Sequence, residues 1–131
     1  MRIHYLLATA FLTAVSSVSW AGDLYVVSGA AVTLTPDEVR QVFLGDKQFS
    51  GGTKLSPVEN AALQPDFLAK VVKVDASHYN SVWAKKGFRD GLTPPPMRSG
   101  DAEVLSAIRA NPGTVGYVSK PSDDVKVLEK L

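Results

Sequence analysis

The sequence predicts an α/β domain, a layered sheet with flanking helices, and three observations support this class. Short apolar stretches typical of buried strands alternate with stretches whose apolar residues recur at helical spacing. Helix-capping residues separate the two kinds of stretch. Strands that alternate with helices favour parallel pairing, so we expect a partly parallel sheet with four helices.

The N-terminal segment predicts an export signal. Arg2 provides a positive start, and residues 5–15 form an apolar run too short to span a bilayer stably. Ser19 and Ala21 are small residues at the positions that a signal peptidase reads. We therefore expect residues 1–21 to be a cleaved signal peptide and residues 22–131 to be a single domain, released into a bacterial periplasm without membrane insertion.

Composition narrows the function classes. The chain has 14 Lys and Arg residues, 13 Asp and Glu residues and a net charge of +1, which loss of Arg2 would bring to zero. No basic run exceeds the pair Lys85 and Lys86, so we expect no nucleic-acid partner. Cysteine is absent, which excludes disulfides and thiolate metal sites.

The first strand and the first helix are the clearest local patterns. Residues 24–28, LYVVS, predict a buried strand. Residues 34–45, LTPDEVRQVFLG, predict a helix that Thr35 caps, that Glu38 reinforces through a capping box and that Gly45 ends. The predicted apolar face of this helix consists of Val39, Val42 and Phe43.

Two further helices are predicted in the middle of the chain. Residues 46–53 predict a turn, and residues 54–59 a second strand in which Pro57 indicates an edge position or a bulge. A helix follows from about Pro65, and Asp75 caps another over residues 76–86. The apolar residues of these two helices are Phe67, Leu68, Val71 and Val72 in the first, and Tyr79, Val82 and Trp83 in the second.

The last third of the chain predicts an irregular stretch, a helix and a strand. Residues 87–98 are expected to be irregular, with an extended polyproline segment at 93–96. A helix begins at Ser99 or Gly100, and residues 114–119 predict a strand. The tail after Ser119 fits a strand or a short helix. In the helix that begins at Ser99 or Gly100, the predicted inward positions are Val104, Leu105 and Ile108.

The residues that could perform catalysis are few. His78 is the single histidine after residue 21, and its place in a helix first turn indicates a surface residue rather than a base. No G-x-S-x-G elbow is present, so we expect no enzyme. Asp123 and Asp124 lack the additional oxygen ligands of a calcium loop, and we expect no metal and no other cofactor.

Arg98, Ser99 and Gly100 form the candidate anion site. A guanidinium, a hydroxyl and free amides at a helix start can hold an anion together. The alternative is a helix cap with a surface arginine, because Asp101 and Glu103 bring negative charge to the same turn. Residues 50–53 resemble a phosphate loop, but a turn before a strand explains their glycines.

The aromatic residues Tyr79, Trp83 and Phe88 lie at helical spacing. This pattern predicts a place in the core, with a ligand-stacking surface as the alternative.

Two segments in combination carry a family resemblance. LTPDEVRQVFLG at residues 34–45 and NPGTVGYVS at residues 111–119, with Phe67 and Trp83 between them, resemble the small periplasmic phosphate ABC transporter substrate-binding proteins. The likeness covers about residues 24–119. It implies a single lobe of the type II periplasmic-binding-protein fold and no enzymatic activity.

The resemblance also implies where an anion would bind. Full-size relatives close two lobes over phosphate, and their second lobe has an arginine and then Ser-Gly-Thr before a phenylalanine. Alignment on Phe67 places Ser-Gly-Thr at Ala61, Ala62 and Leu63, and the arginine near Pro57, so that hydroxyls and positive charge are lost. The polar groups that remain there are Glu59 and Asn60.

Two hypotheses about function follow. In the first, the protein is a non-catalytic periplasmic protein that binds a small anion such as phosphate, with Arg98, Ser99, Gly100 and Asn60 as the ligand contacts. In the alternative, phosphate binding is lost, and the lobe is an accessory interaction module for a membrane transport or envelope protein.

Overall fold

A four-stranded mixed sheet lies at the centre of the computed structural model, which describes residues 22–131. The predicted signal peptide, residues 1–21, lies outside the described residues. The strands are β1 Tyr25–Ser28, β2 Phe49–Ser50, β3 Thr53–Lys54, β4 Ser56–Pro57, β5 Glu59–Asn60, β6 Met97–Arg98, β7 Thr114–Val118 and β8 Lys126–Lys130. The helices are α1 Pro36–Phe43, α2 Gln64–Phe67, α3 Ala76–Asp90 and α4 Asp101–Ala110, and a π-helical turn, Leu68–Val72, continues α2.

The sheet confirms the predicted mixture of parallel and antiparallel pairs. Its strand order is β4-β7-β1-β8. Strand β1 runs antiparallel to β7 and to β8, whereas β4 runs parallel to β7. Two smaller pairs lie beside it, an antiparallel β2–β3 hairpin and a parallel β5–β6 pair. Since the tail after Ser119 supplies β8, that tail forms a strand and not a helix.

Helices cover both faces of this sheet and create two cores. Alternation along β1 directs Val26 to one face and Val27 to the other. The first face packs against α1, the π-helical turn and α3, where the rings of Phe67 and Tyr117 stack with their centres 3.8 Å apart. The second face packs against α4 through Val104. The chain is therefore a three-layer α/β structure, which confirms the predicted α/β class with a layered sheet and flanking helices.

The predicted cap of α1 is present in full. The Glu38 amide donates to the Thr35 hydroxyl over 3.2 Å, and the Thr35 amide donates to the Glu38 carboxylate over 3.0 Å. At the other end Gly45 has a φ of +77°, which favours glycine, and a Cβ there would lie 2.9 Å from the Trp83 ring. The Trp83 indole N–H donates to the Phe43 carbonyl over 3.0 Å, so the ring closes the end of the helix.

The stretch predicted as one strand, residues 54–59, is divided among β3, β4 and β5. The amides of Ser56 and Val58 donate to carbonyls of the β7 segment over 2.9 and 2.8 Å. The next donor, the Glu59 amide, donates instead to the Pro96 carbonyl over 2.8 Å. Pro57 lies on the sheet edge, as predicted, where its missing amide hydrogen costs no bond to β7.

Two helices differ from their predicted form. The helix from about residue 65 is α-helical only to Phe67 and then widens, because the Lys73 amide donates to the carbonyl of Leu68, five residues back. The prediction that residues 87–90 are irregular is wrong, since α3 continues to Asp90 and ends at Gly91, which has a φ of +68°.

Because α3 is longer than predicted, the expected position of Phe88 is also wrong. We expected this residue to join Tyr79 and Trp83 in the core. The added helical turn instead carries the Phe88 side chain into solvent, where 98% of its surface is exposed. Tyr79 and Trp83 are buried as expected.

We predict that Gly113→Ala destabilises the protein. A Cβ at Gly113 would lie 2.2 Å from the Lys54 carbonyl oxygen, which belongs to the backbone and cannot rotate away. We expect a loss of about 2–3 kcal/mol in the free energy of unfolding, measured by urea denaturation. Gly52→Ala is the control, because no atom lies within 4 Å of its Cβ position. Equal stability of the two variants would contradict this account of the close approach.

Candidate functional site: a buried carboxylate and a cationic cleft

The position that the family resemblance assigns to phosphate lies at the start of α2. Its three amides already have partners within the fold. The Ala61 amide donates to the Arg98 carbonyl over 2.8 Å. The Ala62 amide donates to the Asn60 side-chain oxygen over 3.0 Å, and the Leu63 amide to the Asn60 carbonyl over 3.0 Å. These donors are therefore unavailable to an anion.

A carboxylate lies beside this position. Glu59 is 2% exposed, accepts from the Gln64 side-chain amide over 2.6 Å and accepts from the Tyr117 hydroxyl over 3.3 Å. Within the described residues no basic side chain forms an ion pair with it. Burial raises the pKa of Glu59, while the bond from Gln64 opposes that shift. A second negative charge at this position would be repelled.

Two tyrosines share the environment of Glu59. Burial, followed by the nearby Glu59 charge, raises the pKa of both Tyr79 and Tyr117, so both phenols stay neutral. The Tyr79 hydroxyl is buried and has no hydrogen-bond partner among residues 22–131.

A second carboxylate occupies the start of α4. The Asp101 side chain accepts from the Asn60 side-chain amide over 2.9 Å and from the Ser119 hydroxyl over 2.6 Å. It also accepts from the backbone amides of Ser119 and Lys120, over 3.1 and 3.2 Å. A negative charge of the chain itself thus satisfies the donors that converge on this helix start.

The predicted ligand residues are neighbours but do not converge. Asn60 and Arg98 face each other in the β5–β6 register. The Asn60 side chain is fully buried, and its amide donates to Asp101 and to the Tyr117 carbonyl. Ser99 is exposed, and Gly100 caps α4 without a side chain. Their role as ligand contacts stays a prediction.

Arg98 lines a cleft that we name the cationic cleft. This cleft has a volume of about 440 Å³ and lies between the β2–β4 region, α3, α4 and the proline segment at residues 94–96. Three cationic residues line it, Lys47, Lys54 and Arg98, and no Asp or Glu of the described chain does so. Lys47 pairs with Glu38 over 3.2 Å, whereas Lys54 and Arg98 form no ion pair within residues 22–131.

A second cavity, of about 490 Å³, opens on the other side of the proline segment. Glu59, Gln64 and Tyr79 line its polar part, and the exposed Phe88 and half-exposed Met97 line its apolar part. We name it the carboxylate cavity. The two cavities thus differ in their ionisable lining, which is basic in the cationic cleft and consists of the Glu59 carboxyl in the carboxylate cavity.

Sequence reasoning found Arg98 and Glu59 but missed Lys47 and Lys54. These lysines come from the predicted turn and from the strand after it, where a charged residue indicates only exposure. No local signal shows that they line the same cleft as Arg98, because the packing of distant segments produces the cleft.

The fold has known counterparts among solved structures. An ABC-type phosphate transport receptor from Vibrio cholerae aligns with 81% of this chain at a TM-score of 0.59 and 15% identity. PstS from Borrelia burgdorferi aligns with 72% of the chain at a TM-score of 0.48 and 12% identity. No protein-family model and no curated protein sequence matches.

The predicted resemblance is thereby confirmed for the fold. The protein has the fold of part of a phosphate transport receptor. It spans 45% of the Vibrio cholerae chain, which agrees with the predicted single lobe.

Other candidate groups have structural roles. His78 is exposed in the first turn of α3, where its amide donates to Asp75 over 2.7 Å. Asp124 accepts from Arg109 over 2.6 Å, and this bond holds the pKa of Asp124 well below its usual range.

Among residues 22–131 no group of three or more His, Cys, Asp or Glu residues gathers as metal ligands. No helix in this range has the length and apolar content to cross a membrane.

We predict that Glu59→Gln removes a pH dependence of stability. Because burial raises the Glu59 pKa above the ordinary value of 4.5, the folded state holds its proton more tightly than the unfolded state. The free energy of unfolding therefore falls as pH rises from about 4.5 through the raised pKa. Urea denaturation between pH 4.5 and 8 should show this fall in the wild type and a smaller one in Glu59→Gln.

Asp123→Asn is the matched control, because Asp123 is an exposed loop carboxylate. We expect the free energy of unfolding of Asp123→Asn to change with pH as it does in the wild type. A Glu59→Gln variant with the same pH slope as the wild type would show that the Glu59 carboxylate has an ordinary environment.

Proposed function

We propose that the protein is a non-catalytic periplasmic binding protein that holds a small anion in the cationic cleft. The charge of this cleft carries the proposal, since Lys54 and Arg98 line it without an ion-pair partner within residues 22–131, beside Lys47, which is paired with Glu38. Clefts lined by one sign of charge concentrate counter-ions at their surface. The fold of a transport receptor and the predicted export signal support a binding role in the periplasm.

The proposal places the anion away from the start of α2. There the amides of residues 61–63 are already bonded, and the buried Glu59 repels negative charge. At the cleft, the Arg98 guanidinium is exposed and has no side-chain partner within residues 22–131, so it can offer two parallel donors to an oxyanion. Arg98 thus remains the central residue of the predicted site.

We predict weak, salt-sensitive anion binding that depends on Arg98. Contacts from one or two exposed cations correspond to a Kd on the order of 1 mM, because screened surface charges each contribute little. Titration calorimetry at low salt with phosphate, sulfate and phenylacetate should show saturable binding of at least one anion. Arg98→Gln should weaken that binding roughly tenfold, as loss of a charge-assisted hydrogen bond requires.

Lys85→Gln is the matched control, because Lys85 is exposed on α3 and lies outside both cavities. Its affinity should equal that of the wild type. A flat response to every anion, or an equal effect of Arg98→Gln and Lys85→Gln, would refute the proposed function.

A protein-interaction module is the second candidate function, and the position of Phe88 favours it. Its side chain is 98% exposed and lines the carboxylate cavity together with Met97, which is 49% exposed. Exposed apolar groups that flank a cavity are typical of contact surfaces. A partner segment with an apolar anchor and a basic residue would suit Phe88 and Glu59 together.

We predict that Phe88→Ser abolishes cross-linking to a membrane transport or envelope protein while the protein stays folded. Photo-cross-linking from Asn80, which lines the same cavity, would report the contact in cells. Phe49→Ser is the control, since Phe49 is an exposed phenylalanine, at 52%, that lies outside both cavities. Unchanged cross-linking in Phe88→Ser would exclude this surface.

A further inference from the structure

We infer that the ligand of the cationic cleft is an organic carboxylate with an aromatic or aliphatic body, and not an inorganic oxyanion. This inference rests on the proposed function and specifies its ligand class. Four observations carry it: the size of the cleft, the separation of the Lys54 and Arg98 backbones, the chemistry of its proline wall and the engaged indole N–H of Trp83.

The volume of the cleft suits an organic molecule. At about 440 Å³ it lies within the range of roughly 300–1,000 Å³ in which small-molecule sites enclose drug-sized ligands. A single phosphate or sulfate ion would leave most of this space as water. Its charge would then remain solvated rather than held by the protein.

The backbones of the two unpaired cationic residues, Lys54 and Arg98, lie towards opposite ends of the cleft. The Lys54 carbonyl lies against Gly113, and the Asn60 side chain donates to the Tyr117 carbonyl. These two neighbours are four residues apart along the β7 segment, which corresponds to roughly 13 Å in a strand. Since Arg98 pairs with Asn60, its backbone and that of Lys54 are separated by a similar distance. An elongated ligand fits this arrangement better than a compact ion.

The wall between these ends is apolar and lacks donors. Prolines at residues 94–96 have no amide hydrogen, so this part of the cleft cannot donate to an oxyanion as a backbone loop would. Their rings, together with Leu92 and Leu55, offer carbon surface. The extended proline chain is also stiff, which lowers the entropy cost of presenting that surface.

Trp83 completes the apolar wall. Its indole N–H already donates to the Phe43 carbonyl over 3.0 Å, so the ring offers the cleft no further hydrogen bond. An aromatic or aliphatic body can pack against such a ring. The carboxylate then reaches the Arg98 guanidinium, and the ligand body lies along Trp83 and the prolines.

Titration calorimetry on the purified protein tests the inference with three probes. Phenylacetate carries both the carboxylate and the apolar body, phenylacetamide carries the body without the charge, and inorganic phosphate carries charge without the body. We expect phenylacetate to bind at least tenfold more tightly than either of the others, since two kinds of contact act together. Its addition should also shift the assigned NMR signal of the Trp83 indole N–H.

Variants separate the two contributions to affinity. Arg98→Gln should weaken phenylacetate binding roughly tenfold through loss of the charged contact. Pro95→Ser should weaken it roughly threefold through loss of apolar area and leave phosphate unaffected. Lys85→Gln should change the affinity for neither phenylacetate nor phosphate.

The outcomes distinguish failure of the inference from failure of the proposed function. If phosphate binds as tightly as phenylacetate and Arg98→Gln weakens it, the proposed function stands and the inference is wrong. If phenylacetamide equals phenylacetate, the cleft recognises the body alone and the inference is also wrong. If no anion binds, both fail.

Discussion

The structure depends on the close packing of neighbouring segments around β7. This strand pairs with β1 on one side and with β4 on the other, and its two faces contribute to both cores. Glycines permit the approach, because a Cβ at Gly113 would overlap the Lys54 carbonyl and one at Gly116 would lie 2.6 Å from Val104. The NPGTVGYVS segment is therefore explained by packing rather than by ligand contact.

The pairing of β5 with β6 determines which charges lie at the candidate site. From Glu59 onward the backbone pairs with β6, and Glu59 and Asn60 are buried next to the start of α2. Their side chains, with Asp101, satisfy donors that an external anion would otherwise use. The protein keeps the fold of a phosphate receptor half, but carboxylates of its own chain stand near both helix starts.

The proline segment determines where a ligand can go. It separates the carboxylate cavity from the cationic cleft, and residues on either side of it give the two spaces different ionisable linings. Trp83 lines both cavities and also closes the end of α1, so the wall of the site belongs to the core. A ligand in either cavity would thus contact residues that the fold itself holds in place.

The sequence by itself determined the features that depend on local hydrogen bonds and on periodicity. The cap of α1, the cap at Asp75, the edge position of Pro57 and the alternation of strands and helices follow from neighbouring residues and are present in the structure. Only the tertiary structure decided the division of residues 54–59 into three strands, the exposure of Phe88 and the presence of Lys54 and Arg98 in one cleft. These features arise where segments distant in sequence compete for the same backbone partners and the same volume, and such competition leaves no local pattern.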